Sequence, residues 1–196
     1  MPRTEDFDRE IILAKARDLF WQKGYNGTSM SNLVEVTGLN RSSIYNSFGN
    51  KKAIYKTLLI QYQEENEKLY TNALVRASNP LEGIRFVFEN FIEEIVKDTQ
   101  GRGCFSINCK VELSREDESI RDYLEKMQEH RIEFFKGLVQ EGQDAHLINA
   151  KQSASQYAYF LFCTFQGMRT TGMFLRNRDI LQQIVHNALG VLRRDS

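Results

Sequence analysis

Ile11, Leu13, Ala14, Ala16, Leu19, Phe20 and Trp21 recur at the three- and four-residue spacing of an amphipathic helix, and Gly24 follows Lys23 as a stop. A first helix is predicted over about 7–23. Thr28-Ser29 then offers capping hydroxyls ahead of Met30, Leu33, Val34 and Val36, and Gly38 ends this second element after barely two turns. Asn40 can cap a third helix over 41–48, in which Ile44, Tyr45 and Phe48 keep helical spacing before Gly49-Asn50. The product is helix, glycine turn, helix. From Lys51 the pattern runs through Ile54, Tyr55, Leu58, Leu59, Tyr62, Leu69, Tyr70, Leu74 and Val75, and it stops before Asn79-Pro80. Asn79 and Pro80 open another helix, whose stripe of Ile84, Phe88, Phe91, Ile92 and Ile95 ends near Gly101-Arg102-Gly103. A short segment, 104–113, precedes a long helix over about 120–138, closed by Gly142 and a polar turn at 143–149. Two last helices span about 151–175 and 179–193. The chain therefore reads as all-α, with about nine helices.

Composition narrows the function classes. A chain of 196 residues buries roughly 70% of its unfolded surface, and 41% hydrophobic residues with only two prolines exclude Pro-rich linkers and most disordered classes. The longest apolar run, 157–165, falls short of the ~20 residues of a membrane span. The amino end lacks the apolar core of a signal peptide, so a cytoplasmic protein without a membrane partner is expected. Three cysteines without CxxC spacing suit a reducing compartment and give neither a disulfide framework nor a zinc signature. Cys104 and Cys109 on one helix would be separated by a rise of ~7.5 Å and point roughly 140° apart, which disfavours a bridge. His130, His146 and His186 are scattered and read as surface or helix-end residues, and no P-loop, GxSxG or GxGxxG occurs. No cofactor is expected.

The net charge is zero, which rules out coating of nucleic acid by bulk charge. Its distribution is uneven, because the first 60 residues hold nine basic against six acidic side chains. Residues 36–63 contain Arg41, Lys51, Lys52 and Lys56 and no acid, so an unopposed positive field is expected there. With Ile44 and Phe48 facing inward, Arg41, Ser42, Ser43, Tyr45, Asn46 and Ser47 turn outward to varying degrees. Arg can bridge two acceptors of guanine, Asn can do so for adenine, and serines let a backbone approach the bases.

Thr28-Ser29 through Leu33, Thr37-Gly38-Leu39-Asn40, Ile44-Tyr45, Phe48 and Lys51 resemble the amino-terminal signature of the TetR family of bacterial transcriptional regulators, over about residues 8–54. The resemblance implies double-stranded DNA as partner, with Thr28 and Tyr45 on phosphate or sugar, Lys51 on a phosphate, and Arg41, Ser42, Ser43 and Asn46 reading bases. Ser29 and Asn40 belong to the same surface as caps. Where the family commonly carries Ser, Gly and His, this chain has Asn40, Ser42 and Ser47, so the cap persists and position 47 brings no imidazole. The resemblance further implies a helix-turn-helix domain over 1–50 and a helical domain over 51–196 that binds a small-molecule effector and dimerises. A compact helical hairpin without DNA contact is the plainer alternative for 28–51.

The segment 151–175 is apolar nearly all round and must be covered on two sides, while Thr164, Gly167 and Thr171 leave a low ridge. A four-helix interface between the last two helices and their symmetry mates satisfies both, as does a purely intramolecular core. Phe88, Phe91, Cys104, Met127, Tyr157 and Phe160 are the candidate lining of an effector cavity. A helix beginning near Gly103 would place Cys104 in its first turn beside Arg102, where dipole and guanidinium favour a thiolate. The segment also resembles one in TetR regulators that sense electrophiles, although a small packing residue is the commoner role for such a cysteine. A repressor released from a palindromic operator by a small-molecule or thiol-reactive effector is thus expected. The rivals are a protein-protein module with a degenerate helix-turn-helix and an enzyme using Cys104 as nucleophile.

Overall fold

Residues 7–194 are described by the computed structural model, and among them nine α-helices are joined by turns. In chain order they are α1 (Arg9–Lys23), α2 (Met30–Thr37), α3 (Arg41–Phe48), α4 (Lys51–Arg76), α5 (Pro80–Lys97), α6 (Phe105–Leu113), α7 (Glu118–Asp144), α8 (Ala154–Thr171) and α9 (Arg178–Leu192). The expected all-α class holds. Capping follows elementary chemistry: Asp8, Ser29, Asn40, Asn79, Ser153 and Asn177 each accept backbone N–H groups that their helices leave unbonded. Ser29 and Ser153 form reciprocal capping boxes with Asn32 and Gln156. The buried face of α1 is Ile12, Leu13, Ala16, Leu19 and Phe20, while Ile11 points outward. Gly142, read as a helix stop, instead lies inside α7, which continues to Asp144, and a Cβ there would meet the Ile148 side chain at 2.5 Å. It is an approach point where the chain folds back.

The chain divides into two compact units. The first holds the described residues up to Glu64 together with Phe105–Arg121. Its centre is aromatic: the Phe105 ring lies 5.0 Å from Tyr55, 5.6 Å from Trp21 and 5.8 Å from Tyr62, centroid to centroid. Pairs at these separations add to the burial of their area. Phe105 thus docks α6 among the amino-terminal helices, and no periodicity in 104–113 announced it. Around this cluster, Gln63 Nε2 donates to Ser106 Oγ at 2.6 Å, and Glu112 Oε2 accepts the Asn26 N–H at 2.9 Å. Gly24 is left-handed at φ +73°, and a Cβ on it would sit 2.6 Å from Glu112 Oε1. Only glycine satisfies both constraints. Asp117, between α6 and α7, accepts the Ile120 N–H and pairs with Lys52. These bonds, led by that from Lys52, hold its carboxyl down at about 2.

The second unit comprises Glu65–Cys104 and the residues from Asp122 onward. Its core joins Ile84, Val87, Phe88, Phe91 and Ile95 of α5 to Phe135 and Val139 of α7, Leu161 and Phe165 of α8, and Leu181, Val185 and Leu189 of α9. One buried amide fastens its end. Asn149, 6% exposed, donates through Nδ2 to the Val191 and Arg193 carbonyls, each at 2.9 Å. Its Oδ1 accepts from the Tyr157 hydroxyl at 2.5 Å and from the Lys151 N–H at 3.0 Å. The stretch read as a polar turn therefore carries a structural hub.

Asn149→Ala strands the two carbonyls and the phenol, so chemical denaturation is expected to show a loss of about 2 to 4 kcal/mol, near 1 per bond plus desolvation. Asp117 has a folded pKa of about 2, below the ordinary ~3.9, so its contribution is full above pH ~4 and disappears as pH falls toward 2. Asp117→Asn should flatten that part of the acid limb, and a carbon-detected titration should place the midpoint near 2; a midpoint near 4 refutes the assignment.

Candidate nucleic-acid interface

The polar helix α3 has only eight residues, too few to persist alone in water, so its shape rests on packing and caps. Ile44 and Phe48 are buried beneath it, and Asn40 Oδ1 accepts the Ser43 N–H at 2.8 Å. The opposite face carries Arg41, Ser42, Tyr45 and Asn46 in the open, Tyr45 at 42% exposure, with Ser43 and Ser47 half-buried. The Arg41 guanidinium carbon lies 5.8 Å from the Tyr45 ring centre, so the two share one patch. These six side chains stand together as their spacing implied.

The flanking cations behave differently. Lys51 Nζ donates to the carbonyls of Tyr25 and Thr28, each at 2.9 Å, and sits 4.1 Å from the Tyr25 ring centre. It clamps the turn between α1 and α2 to the start of α4. Thr28 is buried and its hydroxyl donates to the Gly24 carbonyl at 2.7 Å, so this side chain closes the turn instead of facing a phosphate. Ser29 is exposed beside it as the cap of α2. Lys52 pairs with Asp117, which raises its pKa, and the positive field expected over 36–63 is therefore opposed in space by an acid distant in sequence. Arg9 was missed. Its Nη1 donates to the Ser47 carbonyl at 2.7 Å and its guanidinium lies 4.4 Å from the Phe48 ring centre, which ties α1 to the end of α3. A cation among the acids of the amino end gave no signal of this.

The expected effector-lining residues disperse. Phe88, Phe91 and Tyr157 are buried in the core of the second unit, and the phenol of Tyr157 is held by Asn149. Phe88 and Phe91 meet through Phe165, at 6.2 and 4.2 Å. Met127 is half-buried, whereas Phe160 is 38% exposed on α8 and so does not line an interior. Cys104 is buried immediately before α6, which begins one residue later than its role in a first turn requires, and the Arg102 guanidinium lies 3.7 Å from Asp98 Oδ1. None of the three cysteines forms a disulfide among the described residues, and His130, His146 and His186 are exposed. Among the described residues no cluster of His, Cys, Asp or Glu could hold a metal, and no helix is long and apolar enough to cross a membrane.

Comparison with known proteins bears on what α3 is for. The family model for bacterial regulatory proteins of the tetR family matches residues 12–58, and the model for a tetracyclin repressor-like C-terminal domain matches residues 80–188. The HTH-type transcriptional repressor ComR of Escherichia coli (strain K12) is 30% identical over 192 residues, covering 95% of this chain and 90% of that protein. The HTH-type transcriptional regulator YezE of Bacillus subtilis (strain 168), itself uncharacterized, is 25% identical over 98% of this chain and its own full length. Among solved structures, a cysteine mutant of the TetR family transcriptional regulator CifR, complexed with 26-bp double-strand operator DNA, superposes with a TM-score of 0.83 at 25% identity, over 96% of this chain and 98% of its own. These relatives are regulators and none is an enzyme by name. Two matched models spanning most of the sequence, together with a short helix whose polar face is held clear of the core, establish that this chain belongs to the tetR family of helix-turn-helix transcriptional regulators.

Proposed function

We propose that the chain is a cytoplasmic repressor that grips a palindromic operator as a homodimer and lets go when a small-molecule or thiol-reactive effector binds its second unit. The observation that carries this reading is the exposed set Arg41, Ser42, Tyr45 and Asn46 on α3, backed by buried Ile44 and Phe48. Such a face offers a guanidinium fork, an amide and a phenol to a major groove, with serines small enough to admit the bases. Ser29, Asn40 and Ser43 set its approach as caps and close neighbours, while Lys51 keeps the turn in register and one ammonium N–H in reserve for phosphate. Residues 1–50 would then be the DNA-binding part and 51–196, which opens with α4, the effector-binding and dimerising part.

One recognition helix reads few base pairs, so a second copy supplies the other half-site. Its docking face is supported by α8 and α9, which leave Tyr159, Phe160, Ile180 and Val191 at the surface. Gly167, where an added Cβ would meet nothing within 4 Å, keeps the ridge on α8 low. Apolar side chains at this spacing on neighbouring helices suit a two-fold helix bundle. An effector acts by preferring the dimer state whose recognition helices are wrongly spaced, which takes a few kcal/mol of differential binding.

Mobility shift with genomic fragments tests the reading, and capture of no fragment at low salt ends it. Arg41→Ala should cost about 1 to 3 kcal/mol and relax preference at one position of the half-site. Lys51→Ala should weaken all sequences alike and lower thermal stability, because it releases two backbone carbonyls. Replacing Phe160 and Val191 together by Asp should turn a sedimenting dimer into a monomer with unchanged helicity and weaken operator binding by at least about tenfold; an unchanged dimer removes α8 and α9 from the interface.

A further inference from the structure

Tyr70 of α4 is 2% exposed, and its hydroxyl has no hydrogen-bond partner among the described residues. Buried hydroxyls without a partner are rare in folded proteins and ask for a reason. Beside it lies a second uncommon group. Arg131 of α7 is 6% exposed, its guanidinium carbon 3.4 Å from the Tyr70 ring centre. Its Nη2 faces Glu67 Oε1 at 3.0 Å, and the other oxygen of that carboxylate lies 3.8 Å from His130 Nε2. Glu67 Oε1 itself completes no hydrogen bond. A third polar group, Arg169, donates to Asn66 Oδ1 at 3.3 Å with its guanidinium 4.7 Å from the Phe91 ring centre.

The surroundings are flat and apolar. Tyr70 has Phe134 at 5.2 Å, Phe91 at 5.3 Å and Phe165 at 6.2 Å, centroid to centroid. Burial lowers the pKa of Arg131, and the Arg169 charge acts in the same direction against the help of Tyr70 and Glu67. A guest anion would ease both effects.

We propose that Tyr70 and Arg131 receive the carboxylate of a small aromatic acid. The phenol is a donor without an acceptor, and a planar carboxylate matches the guanidinium fork, while the rings beside them suit an aromatic body. A phosphate would bring a heavily hydrated, less planar charge among the same rings. Glu67, half-buried at the rim, presents to Arg131 the same group that the acid would bring, so it acts as an internal stand-in that the guest displaces. The site deepens the effector reading above by naming the chemical class. Its regulatory meaning rests on that reading, and its existence does not.

Calorimetry on the full chain without DNA tests the site, using benzoate, phenylacetate and 3-phenylpropionate against the matching amides. The acids are expected to bind at least about tenfold more tightly than the amides, since each amide lacks the charge that the guanidinium answers. Tyr70→Phe should keep helicity and weaken acid binding about tenfold, the loss of one bond to a charged group. Glu67→Gln should strengthen it, and Arg131→Met should abolish it. Acids that bind no better than amides, a Tyr70→Phe protein with unchanged affinity, or no binding at millimolar acid overturns the proposal. Operator retention with and without the acid, measured separately by mobility shift, speaks to the repressor reading alone.

Discussion

One ammonium group turned inward holds the working face of the amino-terminal unit. Lys51 ties the carbonyls of Tyr25 and Thr28 to the first turn of α4, and α2 and α3 hang between these points. Helices of eight residues do not hold a conformation on their own, so every outward direction on α3 depends on what its ends are fastened to. Arg9 performs the same task at the other end through the Ser47 carbonyl. Both cations spend hydrogen bonds on carbonyls, Lys51 two of its three, and the polar side chains of α3 are left at the surface.

The same logic explains why so much charge in the first unit is quiet. Lys52 is neutralised by Asp117, and Glu112 is committed to the Asn26 N–H. A face relieved of surplus cations attracts nucleic acid with less indiscriminate affinity, and on the proposed reading its preference would rest on Arg41, Ser42, Ser43 and Asn46. In the second unit polarity is placed sparingly in an apolar interior. Asn149 satisfies two carbonyls and a phenol at one end, whereas Tyr70 keeps a hydroxyl unanswered among the described residues, beside a buried guanidinium. The first arrangement is complete and rigid. The second is incomplete in the sense that a bound group could finish.

The all-α class, the nine helices among the described residues and the caps at Ser29, Asn40 and Asn79 were open to inspection in the residues, because periodicity and capping are local and act within a few positions of the chain. So was the outward set on α3, which follows from Ile44 and Phe48 lying four apart. Everything decided by partners far along the chain was hidden. The docking of Phe105 against Trp21, the pairing of Lys52 with Asp117, the inward turn of Thr28 and Lys51 and the meeting of Tyr70 with Arg131 join residues that no spacing rule connects. Local free energy selects helices and their ends, whereas burial of a particular charge or ring is fixed only when distant segments compete for the same space, and that competition is settled by the tertiary fold.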